Sequence, residues 1–357
     1  MNKGNPIFII SNEPWGDIWY SKHHYANELS KLNHQVYFIN SPSYWTFSHL
    51  FDWSIKVNKV SENLYYVDYN NLLPVRIFKD VCRNINDFIN CLKLSRISKK
   101  GIFWQFDPTR FGNTNSLGRF KKIYHVVDPY MKWSSDKQIA QSSDLIICTS
   151  KKYLSHYKGI TKGEKVIYIP HGLSEDEKIT DFDKVEQIKK KEGNYILLVG
   201  TINHDIDFSI LEGLVEIFKI IVLGKEVITD NKWDILKKHP NLHYKGMIHA
   251  QELKYYISAS TLCITSYKFT LQSSGGNRSP LKILNYLAQY KPIVVSTDSE
   301  IPTLEGKVIF KASSVEEFIQ LAIEKQTILD DDQRLQIDQY LMNHRYPKLI
   351  EQIFEYV

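Results

Sequence analysis

Residues 277–292 read NRSPLKILNYLAQYKP and run into IVVST. Two cations, Arg278 and Lys282, and a Ser-Pro pair therefore open an apolar helical stretch just ahead of a strand. Pro280 suits the first turn of a helix, where its missing N–H is not needed, and Ser279 is a suitable N-cap. The unpaired N–H groups of a helix start carry about half a positive charge and attract anions. Lys282 adds a whole charge to that turn, beside Leu281. The chemistry this supports is the holding of a diphosphate. An ordinary capped helix with a solvated lysine would use the same residues.

The elements that must position these residues are legible as alternating patterns. One series of strand-like runs contains PIFIIS, HQVYFIN, NLYYVDY, GIFWQFD, KIYHVVD, DLIICTS and KVIYIPHG; a second contains NYILLVGT, FKIIVLG, NLHYKG, TLCITSY, PIVVST and KVIFKAS. Short continuous runs rich in Ile, Val and Tyr are expected of strands buried on both faces of a parallel sheet. Helical patterns such as SKHHYANELSKLN and SVEEFIQLAIEK lie between them, which argues for α/β layers. Residues 1–174 read as one doubly wound domain and 195–345 as another, with the polar stretch 175–194 as linker plus a short solvated helix. Two such domains would face each other across a cleft. The last helix, 346–357, is placed to cross back onto the first domain.

The chain has 357 residues with 43% hydrophobic and 24% charged content, enough for two ordinary cores. No run approaches the ~20 apolar residues of a membrane span, and the apolar run at the N-terminus is too short for a secretion signal, so a cytoplasmic protein is expected. Cys82, Cys91, Cys148 and Cys263 form no CxxC or Cys/His pattern, which indicates neither a disulfide framework nor a zinc site. No GxGxxG or GxxxxGK[ST] follows a strand, which speaks against dehydrogenase and ATPase readings. Residues 1–175 carry 23 Lys and Arg against 14 Asp and Glu, whereas 176–357 carry 22 against 26. The basic first half implies an anionic partner, a membrane surface or a nucleic acid. No nucleic-acid module is recognisable.

Taken in order and spacing, WGDIWYSKHHYANELSKLNHQVYFINSP, IFWQFDPTRF, IYHVVDPY, SSDLIICTSKKYL, VIYIPHG, ILLVGTINHDIDFSIL, NLHYKGMIHAQELKYYISASTLCITSY and SPLKILNYLAQYKPIVVST give a chain that resembles bacterial glycosyltransferases of the GT-B architecture. The group-1 class that builds cell-surface polysaccharides, the teichuronic-acid type among them, is nearest. The resemblance implies an α/β fold of two Rossmann-like domains, the second binding a nucleoside-diphosphate sugar as donor substrate. It implies Gly200 and Thr201 near the phosphates, Gly224 and Lys225 beside the nucleoside, Ile248 where backbone atoms read the base, and the Ser279–Lys282 helix start on the diphosphate. The family's two glutamates, seven residues apart, correspond here to Asn277 and Asn285, and the usual Arg and Lys after the first strand of the second domain are missing from GTINHDIDF. Arg278 and Lys282 would supply the phosphate charge instead. Whether the reaction retains or inverts the anomeric configuration stays open.

Glycosyl transfer must stabilise the leaving diphosphate and take a proton from the acceptor hydroxyl. No metal or other cofactor is expected, since Arg278, Lys282 and the helix start would carry the charge of the leaving diphosphate. Asp128 and Asp107 each end a strand and precede proline, which can present a side chain at a strand tip; both also fit turn caps. Asp128 is favoured over Asp107 as general base of an inverting reaction. Asp17 and Glu13, in the loop after the first strand, and His23 and His24, on the next helix, are candidates for the acceptor side. In residues 76–100, Ile77, Val81, Ile85, Phe88 and Leu92 recur at helical spacing among Arg76, Lys79, Arg83, Lys93, Arg96, Lys99 and Lys100, beside the aromatics of WTFSHLFDWSIKV. That suits an anionic membrane surface, and equally a helix packed on the sheet. A lipid-linked saccharide acceptor, implied by the family, would make the first natural, with the protein on the inner face of the plasma membrane. A sugar-nucleotide epimerase of the same architecture and a two-domain periplasmic-type binding protein are the alternatives.

Overall fold

The computed structural model describes residues 5–16, 18–76, 79–270 and 281–357. The chain divides into two compact units: residues up to Pro170 together with Tyr346–Val357, and His171–Arg345.

The first unit runs β1 (Ile7–Ile10), α1 (Ser21–Lys31), β2 (Val36–Ile39), β3 (Ile55–Ser61), β4 (Leu64–Tyr69), α2 (Lys79–Leu94), β5 (Lys100–Gln105), β6 (Arg119–Val126), α3 (Ser134–Ser142), β7 (Leu145–Cys148), α4 (Lys151–Ile160) and β8 (Val166–Tyr168). The strands form one sheet in the order β3-β4-β2-β1-β5-β6-β7-β8, parallel except for the β3–β4 pair. Every residue of β1 and β7 is buried, as continuous apolar runs between helical layers require. The winding reverses between β1 and β5. In open α/β sheets a ligand crevice lies beyond the carboxyl ends of the strands at that reversal.

Helix α2 is inverted. Asn86, Asp87, Asn90 and Lys93 are buried, whereas Val81, Ile85, Phe88 and Leu92 are exposed, Val81 by 63%. The polar face is held by loop backbone: Asn86 bonds the N–H and carbonyl of Leu73, both at 2.9 Å, and the Lys93 ammonium donates to the carbonyls of Asp52 (2.9 Å) and Asn70 (2.8 Å). Ile77 lies outside the described residues.

The second unit continues with α5 (Phe182–Glu192), β9 (Ile196–Val199), α6 (Phe208–Val215), β10 (Ile220–Leu223), α7 (Asn231–Leu236), β11 (Leu242–Tyr244), α8 (Ala250–Ala259), β12 (Leu262–Thr265), α9 (Leu281–Ala288), β13 (Ile293–Val295), β14 (Ile309–Lys311), α10 (Val315–Glu324) and α11 (Asp331–Met342). Its sheet is parallel throughout, in the order β11-β10-β9-β12-β13-β14, with the reversal between β9 and β12. The stretch 175–194, read from sequence as a linker, lies within this unit: α5 buries Val185 and Ile188 in the core. Its Glu192 takes ion pairs from Lys219 (2.9 Å) and Lys245 (2.8 Å). Local caps start several helices, as Asp207 does for α6 and Asp330 for α11.

The last helix, α12 (Tyr346–Phe354), belongs to the first unit. Tyr346, Leu349, Ile350 and Ile353 are buried in the same cluster as Ile7, Tyr25 and Leu29.

Candidate functional site

At the winding reversal of the second sheet, three neighbouring strands run into glycines: Gly200 after β9, Gly224 after β10, and Gly246 beyond β11. The Gly200 N–H donates to the Leu223 carbonyl at 2.9 Å and the Gly224 N–H to the Gly246 carbonyl at 2.8 Å. Gly224 has φ of +151°, and a β-carbon there would lie 1.9 Å from the Gly200 carbonyl oxygen. Only glycine fits backbone stacked this closely. Gly200 has φ of +139°, and its missing β-carbon leaves room for the ammonium of Lys282, which would lie 2.6 Å from that atom.

Lys282 stands in the first described turn of α9. Its ammonium sits 4.8 Å from the centre of the Tyr267 ring, just past β12. Among the described residues no carboxylate pairs with it. A cation held over a ring face keeps its charge available to a ligand. Tyr286, buried on the same helix, accepts the Val199 N–H at 3.0 Å and so fastens α9 to the end of β9. The arrangement can hold an anion between a strand-end loop and the opening turn of a helix.

The other residues expected on the donor side fall around this point. Thr201 and Lys225 are exposed, and the Lys225 carbonyl accepts the Ile202 N–H at 2.8 Å. Leu281 and Ile248 are half-buried against the core, and Asn285 is half-buried on α9. Asn277, Arg278, Ser279 and Pro280 lie outside the described residues.

In the first unit, charged groups gather beyond β1, β5 and β6. The Arg110 guanidinium donates to Asp107 through Nε at 2.6 Å, to the Asn40 carbonyl at 3.1 Å, to the Ser11 carbonyl and to the Tyr69 hydroxyl. One side chain thus ties together the ends of β1, β2, β4 and β5. Asp107 is buried and also accepts the N–H (2.7 Å) and hydroxyl (2.6 Å) of Thr109. Burial alone would raise its pKa, but Arg110 and Thr109 outweigh burial and hold it below the usual carboxylate value. A carboxylate so fully engaged is a weak base, so Asp107 is better suited to anchoring Arg110 than to taking a proton. Asp128 stands two residues past β6, half-buried.

Lys22, on α1, was not singled out from sequence. It is 4% exposed and contacts Asn12 Oδ1 and Glu13 Oε2. Burial pushes its pKa down to about 7, against the opposing pull of Asp107 and Asp128. Those two carboxylates and Lys22 therefore share one neighbourhood.

The paired histidines serve the packing. His23 is buried: Nδ1 accepts the Tyr20 N–H at 3.1 Å, and Nε2 lies 3.1 Å from the Pro14 carbonyl. Burial lowers its pKa to about 4, which keeps it neutral. It caps α1 and is not available to an acceptor. His24 stacks on Tyr346 of α12, with ring centres 5.2 Å apart. Asp17 lies outside the described residues. The signal for Arg110 was present only as a cation a few residues past β5, and that for Lys22 only as a cation in the first turn of α1.

No protein-family model matches the sequence, and no curated protein does. Solved structures do match in fold. A sucrose-phosphate synthase from Thermosynechococcus elongatus superposes with a TM-score of 0.73 at 13% identity over 98% of both chains. HepE from Anabaena, solved with UDP-glucose, gives 0.69 at 10% identity over 98% of both. WaaG, a glycosyltransferase involved in lipopolysaccharide biosynthesis, gives 0.63 at 13% identity over 97% of this chain and 98% of its own. Two parallel-dominated α/β units matched along their whole length to such proteins give this chain the GT-B fold.

Proposed function

We propose that this protein is a glycosyltransferase that moves a sugar, a hexose in the simplest case, from a nucleoside-diphosphate donor to an acceptor hydroxyl. The observation that carries the reading is the Lys282 ammonium opposite Gly200, at the winding reversal of the second sheet. In the reaction the bond from the anomeric carbon to the diphosphate oxygen breaks and a bond to the acceptor oxygen forms. Lys282 and the opening turn of α9 stabilise the departing diphosphate, with no metal required. Gly224 and the backbone near Ile248 border the nucleoside. Asp128 in the first unit takes the acceptor proton if the configuration inverts, with Lys22 in the same neighbourhood. HepE was solved with UDP-glucose, and a uridine nucleotide sugar is the first donor to test.

The acceptor belongs to cell-surface polysaccharide or glycoconjugate assembly, on a lipid carrier at a membrane. Support comes from α2, whose apolar row faces outward, and from the 3-10 turn Phe47–Phe51, where Phe51 is 86% exposed. The two adjoin, because Lys93 and Arg96 of the α2 end bond the carbonyls of Asp52 (2.9 Å) and Trp53 (3.1 Å). Exposed Arg96, Lys99 and Lys100 complement anionic headgroups. No helix among the described residues is long and apolar enough to cross a membrane. A thermal-shift series of nucleotide sugars tests the donor reading; co-sedimentation with phosphatidylglycerol and phosphatidylcholine vesicles tests the surface.

A further inference from the structure

Beneath the inner face of α2 the first unit holds a cavity of about 440 Å³, within the range of small-molecule sites. Three guanidinium groups, Arg76, Arg83 and Arg110, share its wall with two carboxylates, Asp80 and Asp87, and with the ring of Trp133. Arg83 is the group without enough partners. Its side chain is 17% exposed, and its Nη2 reaches Asp80 at 2.9 Å. Its Nε is buried and has no hydrogen-bond acceptor among the described residues. A buried donor left unmet is costly, and a guanidinium edge is shaped to grip a carboxylate or phosphate through two parallel N–H groups.

The neighbouring acids leave this role open. Asp87 is occupied, since its Oδ2 accepts the N–H groups of Gly112 (2.9 Å) and Asn113 (3.3 Å). The Asp80 side chain is 70% exposed and already solvated, so an anion could replace it on Arg83. Two carboxylates on the wall disfavour a densely charged ligand such as a diphosphate. They fit one anionic group on a hydroxyl-rich body that can lie against Trp133. Arg110 bounds the cavity and also holds Asp107, so an occupant sits beside the cluster assigned to the acceptor.

We infer that this cavity binds a phosphate- or carboxylate-bearing sugar of the acceptor, with Arg83 as the residue that recognises the anion; the assignment of the occupant as acceptor rests on the glycosyl-transfer reading above.

Calorimetric titration of the full chain with glucose 6-phosphate, glucuronate, glucose and dihexanoyl phosphatidic acid tests it. At least one of the two charged sugars should bind roughly tenfold tighter than glucose, and Arg83→Gln should erase that difference while leaving nucleotide-sugar binding unchanged. Arg76→Gln, on an exposed side chain, gives a second comparison should Arg83→Gln fail to fold, and it should narrow the difference. The inference is overturned if glucose binds as well as the charged sugars, if none binds, or if neither substitution changes the ranking. Tighter binding of phosphatidic acid than of either charged sugar would assign the anion to a lipid and also overturn it. Loss of the donor reading would look different: no nucleotide sugar would bind, while the preference for charged sugars persisted.

Discussion

The ammonium of Lys282 occupies the space that a β-carbon on Gly200 would claim, with only 2.6 Å between the two positions. A glycine at the end of β9 and a lysine in the first turn of α9 thus form one surface, although 82 positions separate them in the sequence. The proposed diphosphate site is this pair.

Lys282→Ala should weaken nucleotide-sugar binding by roughly 10- to 100-fold, the range of a lost charge-assisted hydrogen bond. Calorimetry on the folded variant checks it. Lys282→Arg should recover part of the affinity.

Gly200→Ala should push the Lys282 ammonium aside and reduce donor affinity roughly tenfold, and its φ of +139° should add backbone strain of about 1–3 kcal/mol, although the end of the lysine side chain itself can move. Gly224→Ala meets backbone at 1.9 Å and has nowhere to go. It should destabilise the protein by about 1–3 kcal/mol or more. Paired denaturation and binding curves separate the two effects.

The sequence showed the sheets clearly and the site in part. IFII, LIIC and IVV read as buried strands because a parallel sheet covered on both faces needs continuous apolar runs. Gly200 and Gly224 were visible as strand-end glycines. For α2 the periodicity revealed an apolar stripe but not which way it points. Asn86, Asp87 and Lys93 turn inward because carbonyls and N–H groups of loops up to 41 residues away bond them, Asn90 donates to the Asn71 side chain, and no local window contains those partners. Lys22 was equally hidden: SKHH reads as a solvated helix start, and its burial depends on loops from β1, β5 and β6 converging on it. The stretch 175–194 looked like a linker because it is charged, yet Val185 and Ile188 suffice to seat α5 on the second core.

Lys22 should leave a signature in stability against pH. Its pKa falls to about 7 in the folded protein from an ordinary value of 10.5. Between those values the unfolded chain holds a proton that the folded chain has released, so this group's contribution to stability rises with pH across the window. Below about pH 7 both states are protonated and the contribution is flat. Urea midpoints at pH 7, 8 and 9 should therefore climb less in Lys22→Met than in the parent protein. Equal slopes would contradict the assignment.

Glu192 acts in the opposite range. Burial alone would raise its pKa, but Lys245 and Lys219 bring it down to about 2 from 4.5. Its contribution is complete above the ordinary glutamate pKa and fades as pH falls toward 2. Glu192→Gln should cost about 1.5–3 kcal/mol at pH 7, and the variant should be less sensitive to acid between pH 4.5 and 2. Guanidinium titrations at pH 7 and pH 3 check both points.

Binding of a nucleoside-diphosphate sugar to the folded chain tests the account at its centre. Calorimetric titration with UDP-glucose and a panel of other nucleotide sugars should find at least one donor that binds the parent protein and is weakened at least tenfold by Lys282→Ala, without added metal. Absence of binding across the panel, or a donor that binds Lys282→Ala as tightly as the parent, would contradict it.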